Sequence, residues 1–248
     1  MRIFGLIGNP ISQSFSPIFF HQKFEREGIK DAVYRLFTLE SITELPLLLE
    51  KEKGIVGLNV THPYKETISP YLDKLTEEAH AIGAVNTIGI KRNDGSIELT
   101  GHNTDCAGFD KLLNQITQPL PEAALVLGTG GAAKAVVHVL RQHGVKVAQV
   151  SRSDGRADYT YSSLTPSVIE NHLLIINATP VGMGADSHYC PQLPYLTITT
   201  KHILIDLIYN PETTLFLQKG KERGAKTFNG MTMLIGQAEA SWRWWNGI

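Results

Sequence analysis

Two cysteines, Cys106 and Cys190, are all that the 248 residues contain. That excludes a disulfide framework and predicts a reducing compartment, the cytoplasm. No apolar run approaches the ~18 residues that a membrane span needs. The start, "MRIFGLIGNP", has no charged region ahead of a long apolar one, and no fixed-period repeat or low-complexity tract is visible. Neither sign of charge is in excess: 23 Lys+Arg stand against 24 Asp+Glu, for a formal net charge of -1. No electrostatic footprint for nucleic acid or an anionic membrane follows from that balance. A shared metal-ligand spacing is missing too, since His62, His102 and His138 fall at unrelated positions, and no metal is expected. The dense aromatic run "SWRWW" reads as a helix packing its indoles rather than as a stacking platform for bases. What remains is a soluble chain for small neutral or anionic ligands, with 42% hydrophobic content, enough for one or two cores.

The first hundred residues alternate short apolar runs with helical patterns. "RIFGLIG" predicts a strand and "SPIFFHQKFEREG" a helix, with Ser16 as its cap, Pro17 in its first turn and Gly28 as its stop. "VYRLFTL", "GLNVT" and the pair "NTIGIK" and "SIELTGHN" predict further strands, the last two joined by a hairpin turn at Asp94-Gly95. This half is α/β with a mixed sheet. After the helical pattern "DCAGFDKLLNQI" comes the break "TQPLPEA", and the periodicity changes. "AALVLG", "GAAKAVVHVLRQHG" and "VKVAQVS" read as strand, helix and strand. "HLLIINAT", "HILIDLIY", "TTLFLQKGKERG", "KTFNG" and a last helix follow. Near-continuous apolar strands alternating with helices predict a doubly wound parallel sheet covered on both faces.

"LGTGGAAKA" stands between the first strand and helix of that second half and fits G-x-G-x-x-A at Gly128, Gly130 and Ala133. There the loop residues Gly128, Gly130, Gly131 and Ala132 would let the backbone approach a pyrophosphate lying on the helix N-terminus. The ordinary alternative is a tight turn with no ligand. An NAD-binding fold places an acidic residue at the end of the second strand, for the ribose 2′-hydroxyl. Here that strand runs into "SRSDGR". Ser151, Arg152 and Ser153 offer a guanidinium and two hydroxyls, which suit a 2′-phosphate and so predict NADP.

A dinucleotide fold also needs a substrate site and a group that moves a proton while the cofactor moves the hydride. The first half has the material. Ser14 and Ser16 lie in "SQSFS" at a strand-to-helix junction, where hydroxyls and helix N–H groups could hold a carboxylate. "NVTHPYK" supplies Thr61 and Lys65, "AVNT" supplies Asn86, and "GHNTDC" supplies Asp105. A lysine and an aspartate in one cleft can act as a general acid/base and the partner that sets its pKa. Taken singly, each has a plainer structural reading: Ser16 and Asp105 as caps, Asn86 as a turn residue, Lys65 as a solvated side chain.

As a co-linear set, "GNPISQSFSP", "NVTHPYK", "GAVNT", "NTDCAGF", "LGTGGAAKAV", "INATPVGM", "IYNPETTLF" and "NGMTMLIGQA" resemble the shikimate dehydrogenases over nearly the whole chain. The resemblance implies an N-terminal substrate-binding α/β domain over residues 1–104 and a Rossmann NADP-binding domain over 105–231. A C-terminal helix, 232–248, would return to deliver Gln237. It further implies that Ser14 and Ser16 bind the substrate carboxylate and that Thr61, Asn86 and Gln237 hold hydroxyls. Lys65 and Asp105 would be the catalytic pair, and Tyr209 a further carboxylate contact. Thr179, Met183, Gly230 and Met233 would line the cofactor near the nicotinamide. The activity implied is the reversible NADPH-dependent reduction of 3-dehydroshikimate to shikimate by a monomer or homodimer.

Three departures from the family pattern stand out. Cys106 replaces glycine after "NTD", which an N-terminal helical turn tolerates because it needs no positive φ. "SRS" replaces "NRT", keeping the arginine and a hydroxyl. The stretch from Ser151 to Asn177 is shorter than the family's crossover helix and strand together, so the adenine side of the cofactor site is expected to be trimmed. Two rivals stay open: a quinate/shikimate dehydrogenase preferring NAD, against which "SRS" argues, and a nucleotide-binding sensor, which would be expected to lack Lys65 or Asp105.

Overall fold

The computed structural model of the chain describes residues 1–93, 96–116 and 119–248. The expected hairpin turn at Asp94-Gly95 and the start of the "TQPLPEA" break, Thr117 and Gln118, lie outside the described residues. Two compact units are present: residues 1–104 with 237–248, and residues 105–236.

The first unit is built on strands β1 (Arg2–Gly8), β2 (Ala32–Thr38), β3 (Ile55–Val60), β4 (Lys74–Leu75), β5 (Thr87–Asn93) and β6 (Ser96–His102), with helices α1 (Ser16–Arg26), α2 (Leu45–Lys51) and α3 (Glu77–Ile82). The sheet order is β2-β1-β3-β5-β6-β4. β1 pairs parallel with β2 and β3, and β5 pairs antiparallel with β3 and β6. From Phe4 to Gly8 every residue of β1 is buried, the pattern of a strand covered on both faces. One face packs Ile7, Leu58, Ile88 and Tyr64 with α2 and α3. The other packs Phe4, Phe20, Phe24 and Tyr34 against Trp242 and Trp245. Lys23 is buried on α1 and is held by Glu27 at 2.8 Å and Glu239 at 2.7 Å. The "SWRWW" indoles are therefore packing groups: Trp245 lies over Gly57, and Trp244 over Gly89 and His102.

Ser16 does not cap α1. Phe15 stands at the N-cap without a side-chain hydrogen bond, and Ser16 is the first helical residue. The reason is local. The Ser14 hydroxyl accepts the Ser16 N–H at 3.3 Å, so the chain turns into the helix before Ser16.

The second unit carries α4 (Asp105–Leu113), β7 (Ala123–Leu127), α5 (Gly131–Gln142), β8 (Lys146–Ser151), β9 (Tyr159–Thr160), α6 (Pro166–Asn171), β10 (Leu174–Asn177), β11 (Ile203–Asp206), α7 (Leu215–Glu222) and β12 (Lys226–Phe228). α8 (Met231–Asn246) begins in this unit and ends in the first. All pairings are parallel, in the order β12-β11-β10-β7-β8-β9. Its centre, with β7 between β8 and β10, has the doubly wound dinucleotide form whose switch point lies between β7 and β10. Apolar β7, β10 and β11 fill the centre with Leu125, Leu127, Ile175 and Leu204. One element of that architecture is missing. Residues 152–158 join β8 to β9 without a helix, although a parallel crossover ordinarily spans a dozen residues or more.

Candidate active site

Parallel strands end at one edge of a sheet, and an antiparallel neighbour begins there. In the first unit that edge collects the substrate candidates. β1 leads to Ser14 and Ser16, and β3 leads to Thr61 and Lys65. β5 runs the other way and starts immediately after Asn86, while β6 ends at the same level, His102 being paired with Thr87. Short backbone bonds tie the loops together. Thr61 N–H donates to Ile7 carbonyl at 3.0 Å, Asn9 N–H to His62 carbonyl at 3.0 Å, Val60 N–H to Asn86 carbonyl at 2.8 Å, and Val85 N–H to Lys65 carbonyl at 2.8 Å. Ser14, Thr61 and Lys65 are half-buried, whereas Ser16 and Asn86 are buried. Gln237 is half-buried on α8, and its carbonyl accepts the Ser241 hydroxyl at 2.9 Å.

The remaining candidates belong to the second unit. Asp105 is buried and is itself the first residue of α4, which is followed by the buried Cys106 inside the same helix. At the end of β7, Gly128 adopts φ +111°, and a methyl group there would lie 3.1 Å from Thr179 Cγ2 and 3.2 Å from the Ala178 carbonyl oxygen. Only glycine suits both the dihedral and the space. Gly130 is the N-cap of α5, with no side-chain cap hydrogen bond and no acidic residue in the first turn. Gly131 and Ala132, half-buried, open the helix. The N-terminal N–H groups and the helix dipole are thus left to attract an anion. These residues fit a dinucleotide pyrophosphate.

Past β8 the Ser151 hydroxyl accepts the Ser153 N–H at 3.1 Å, curling "SRS" so that Arg152 and Ser153 are exposed while Ser151 is buried. Arg156, a second exposed guanidinium in the same short connection, was not singled out in the sequence although it stands in the same "SRSDGR". Thr179 is half-buried, and its hydroxyl donates to Asn177 Oδ1 at 2.6 Å. Met183 is exposed, Tyr209 half-buried, and Gly230 and Met233 buried.

A polar group at the carboxyl ends of the second sheet also escaped the sequence reading. Asn177 and Asp206 end β10 and β11 at the same register. Asn177 Nδ2 donates to Asp206 Oδ1 at 3.1 Å, and Asp206 accepts the Ile208 N–H at 3.0 Å and the Thr214 hydroxyl at 2.6 Å. Burial pushes the Asp206 carboxyl up to about 6, against the pull of these three donors. The available signal was a polar residue closing each of two apolar strands. A cavity of about 470 Å³ elsewhere in this unit is lined by Tyr161, Cys190, Tyr195 and Lys219 among others and contains none of the candidate groups.

Residues 6–88 match a family model described as the shikimate dehydrogenase substrate binding domain. A shikimate dehydrogenase (NADP(+)) of Clostridium beijerinckii is 41% identical over 251 residues, covering 96% of this chain and 89% of that protein. Among solved structures, the shikimate 5-dehydrogenase of Thermus thermophilus in complex with NADP(H) and shikimate has a TM-score of 0.86 at 32% identity, covering 100% of this chain and 94% of that one. The enzyme of Listeria monocytogenes in complex with shikimate and NAD has a TM-score of 0.84 at 28% identity, covering 100% and 92%. On a likeness that runs the length of both partners, the chain belongs to the shikimate dehydrogenase family.

Proposed function

We propose that the chain catalyses the reversible, NADPH-dependent reduction of 3-dehydroshikimate to shikimate in chorismate biosynthesis. One observation carries the reading: the edge of the mixed sheet gathers hydroxyls, an amide and a lysine, while the parallel sheet of the second unit presents a glycine loop fit for a pyrophosphate. NADPH, when bound through Gly128, Gly130, Gly131 and Ala132 with Ser151, Arg152 and Ser153 toward its 2′-phosphate, supplies the hydride. Thr179, Met183, Gly230 and Met233 lie toward the nicotinamide in this reading.

Ser14 and Ser16 hold the substrate carboxylate with Tyr209, and Thr61, Asn86 and Gln237 hold its hydroxyls. The ammonium of Lys65 gives its proton to the alkoxide oxygen that forms as the carbonyl is reduced, and takes it back in the reverse direction. Asp105 acts with Lys65, holding the ammonium in place. A monomer or homodimer in the cytoplasm, with no nucleic-acid or membrane partner, completes the proposal. The near-zero net charge supports that part, and among the described residues no helix is long and apolar enough to cross a membrane.

The test of the chemistry is Lys65→Ala. A lysine that only attracted the carboxylate would contribute equally to ground and transition states, so its loss would raise KM and spare kcat. A proton donor behaves otherwise, and kcat should fall about 10² to 10⁴-fold with little change in substrate affinity. Asp105→Asn should show the same pattern and add less than its full effect in the double variant. Wild-type turnover by Lys65→Ala at saturating shikimate and NADP, with hydride transfer shown to limit the rate, would return Lys65 to a binding role.

A further inference from the structure

Beneath the substrate edge of the first unit lies a buried polar cluster drawn from three strands, a loop and a helix: Tyr34 (β2), Asn59 (β3), Thr87 (β5), Thr104 beyond β6, and Ser241 (α8). Its hydrogen bonds close on Asn86. Thr104 N–H donates to Asn86 Oδ1 at 2.7 Å, and the Thr104 and Thr87 hydroxyls lie 3.1 and 3.0 Å from the same oxygen. A backbone N–H has no choice of role, so the Asn86 side-chain atom facing it must be the oxygen.

The proton count extends the argument. Ser241 gives its one hydroxyl proton to the Gln237 carbonyl at 2.9 Å and therefore only accepts within the cluster, from Asn59 Nδ2 at 2.9 Å and from a threonine hydroxyl at 3.0 Å. The other threonine can donate to Asn86 Oδ1 or to the first threonine's oxygen, 3.1 Å away. Asn59 is oriented by the same logic: its Nδ2 faces the Asn86 main-chain carbonyl at 3.3 Å, and its Oδ1 takes the Tyr34 hydroxyl at 2.8 Å. Burial pushes the Tyr34 phenol up beyond its usual range, with the Ser16 side chain as a further hydrogen-bond partner. The cluster thus touches Ser16, Asn86 and Gln237 from behind.

We propose that Thr104 and Ser241 are positioning residues that lock the Asn86 amide with its oxygen inward, so that Asn86 addresses a substrate hydroxyl only as a donor. The proposal rests on the reading of Asn86 as a group that holds a substrate hydroxyl. A hydroxyl so addressed accepts the Asn86 N–H through one of its own lone pairs and keeps its proton for a different acceptor. The arrangement therefore discriminates an oriented hydroxyl from a group that could only donate.

Thr104→Val keeps the backbone N–H and the side-chain volume while removing the hydroxyl. It is compared with Thr104→Ser, Ser241→Ala and Asn86→Ala by calorimetric binding of shikimate without coenzyme, and by steady-state kinetics. Thr104→Val and Ser241→Ala should weaken shikimate binding and raise its KM about 3- to 10-fold, as for one lost hydrogen bond, with kcat and the KM for NADP unmoved. Thr104→Ser should bind shikimate nearly as the wild type does. If folded Thr104→Val and Ser241→Ala bind shikimate as wild type while Asn86→Ala binds it weakly, the hydroxyls only hold the fold and the proposal is wrong. If Asn86→Ala itself binds as wild type, the assignment of Asn86 has failed and the proposal falls with it. Should Thr104→Val not fold, Ser241→Ala carries the same comparison alone.

Discussion

Behind the strand ends of the first unit lies a cluster of uncharged side chains bonded to one another, with Asn59, Thr87, Thr104 and Ser241 satisfying each other around Asn86. At the strand ends of the second unit the groups fit for a ligand are largely backbone, bared by glycine, and the supporting side chains centre on a carboxyl, Asp206. A polyol acid needs several donors and acceptors at fixed directions, which side chains supply. A pyrophosphate needs convergent N–H groups and room to approach, which a helix start and missing Cβ atoms supply. The first cluster is sensitive to single hydroxyls and holds no carboxyl, amine or imidazole. The second is sensitive to added volume and, through Asp206, to pH.

The largest expected effect breaks the second arrangement by volume. A methyl group on Gly230 would press into the main-chain carbonyl of Leu207, and a backbone atom cannot step aside as a flexible side chain can. Gly230→Ala should lose on the order of 4 kcal/mol of unfolding free energy, read by urea denaturation. A loss under about 1 kcal/mol would show that the chain between β11 and α8 yields readily.

Next comes pH. Asp206 carries a folded-state pKa of about 6 against an ordinary value of 3.8, so the native state holds the proton more tightly than the unfolded chain. The stability this lends is fully present below about pH 3.8 and is lost as pH rises through about 6. Asp206→Asn keeps the shape, and Thr214 can turn its hydroxyl to accept from the new amide. Relative to that variant the wild type should lose on the order of 3 kcal/mol between about pH 4 and about pH 7, measured by denaturation at steps across that range. Titration of surface carboxylates such as Glu27 is common to both proteins and cancels. A gap that stays constant across the range would mean that Asp206 titrates as an ordinary carboxyl, and the contrast in pH sensitivity would go with it.

Much of this was legible in the sequence, for physical reasons that differ by element. The buried parallel strands announced themselves as apolar runs, and Gly128 and Gly130 marked the turn from β7 into α5. Short elements were not legible: α2, α3, α6, β4 and β9 have too few residues to establish a period. Ser16 was misread as a cap because the rule for N-caps sees residue type, whereas the Ser14 hydroxyl decided where the helix began. Ser241 and Thr104 gave no local signal of the cluster, since, Gln237 apart, their partners lie far along the chain and meet only through tertiary packing. Asp206 was hidden by its neighbours, one carboxylate closing an apolar strand. The shortened stretch from Ser151 to Asn177 was visible, but only the structure shows that the missing piece is the helix between β8 and β9.

The smallest effect sharpens the comparison at that trimmed connection. With no crossover helix over residues 152–158, the exposed guanidiniums of Arg152 and Arg156 stand in a short turn held by the Ser151 hydroxyl at one end. The Asp158 carboxylate steadies the other end by accepting the Gln149 N–H at 2.8 Å. In the proposed reading, charge on a pinned turn, rather than an enclosing wall, would distinguish NADP from NAD. Arg152→Ala should weaken NADP by about 1 to 3 kcal/mol, the range for a charge-assisted contact, and leave NAD almost unchanged. The low end applies if Arg156 compensates. Salt should matter in the same direction: the preference for NADP over NAD should narrow as ionic strength rises and an exposed phosphate–guanidinium pair is screened. Calorimetry with 2′,5′-ADP and with 5′-AMP reads both effects without turnover. Equal losses for the two nucleotides on removing Arg152 would mean that the turn holds the adenosine and does not read its phosphate. The second unit would then resemble the first, recognising its ligand by shape and neutral hydrogen bonds at this end as well.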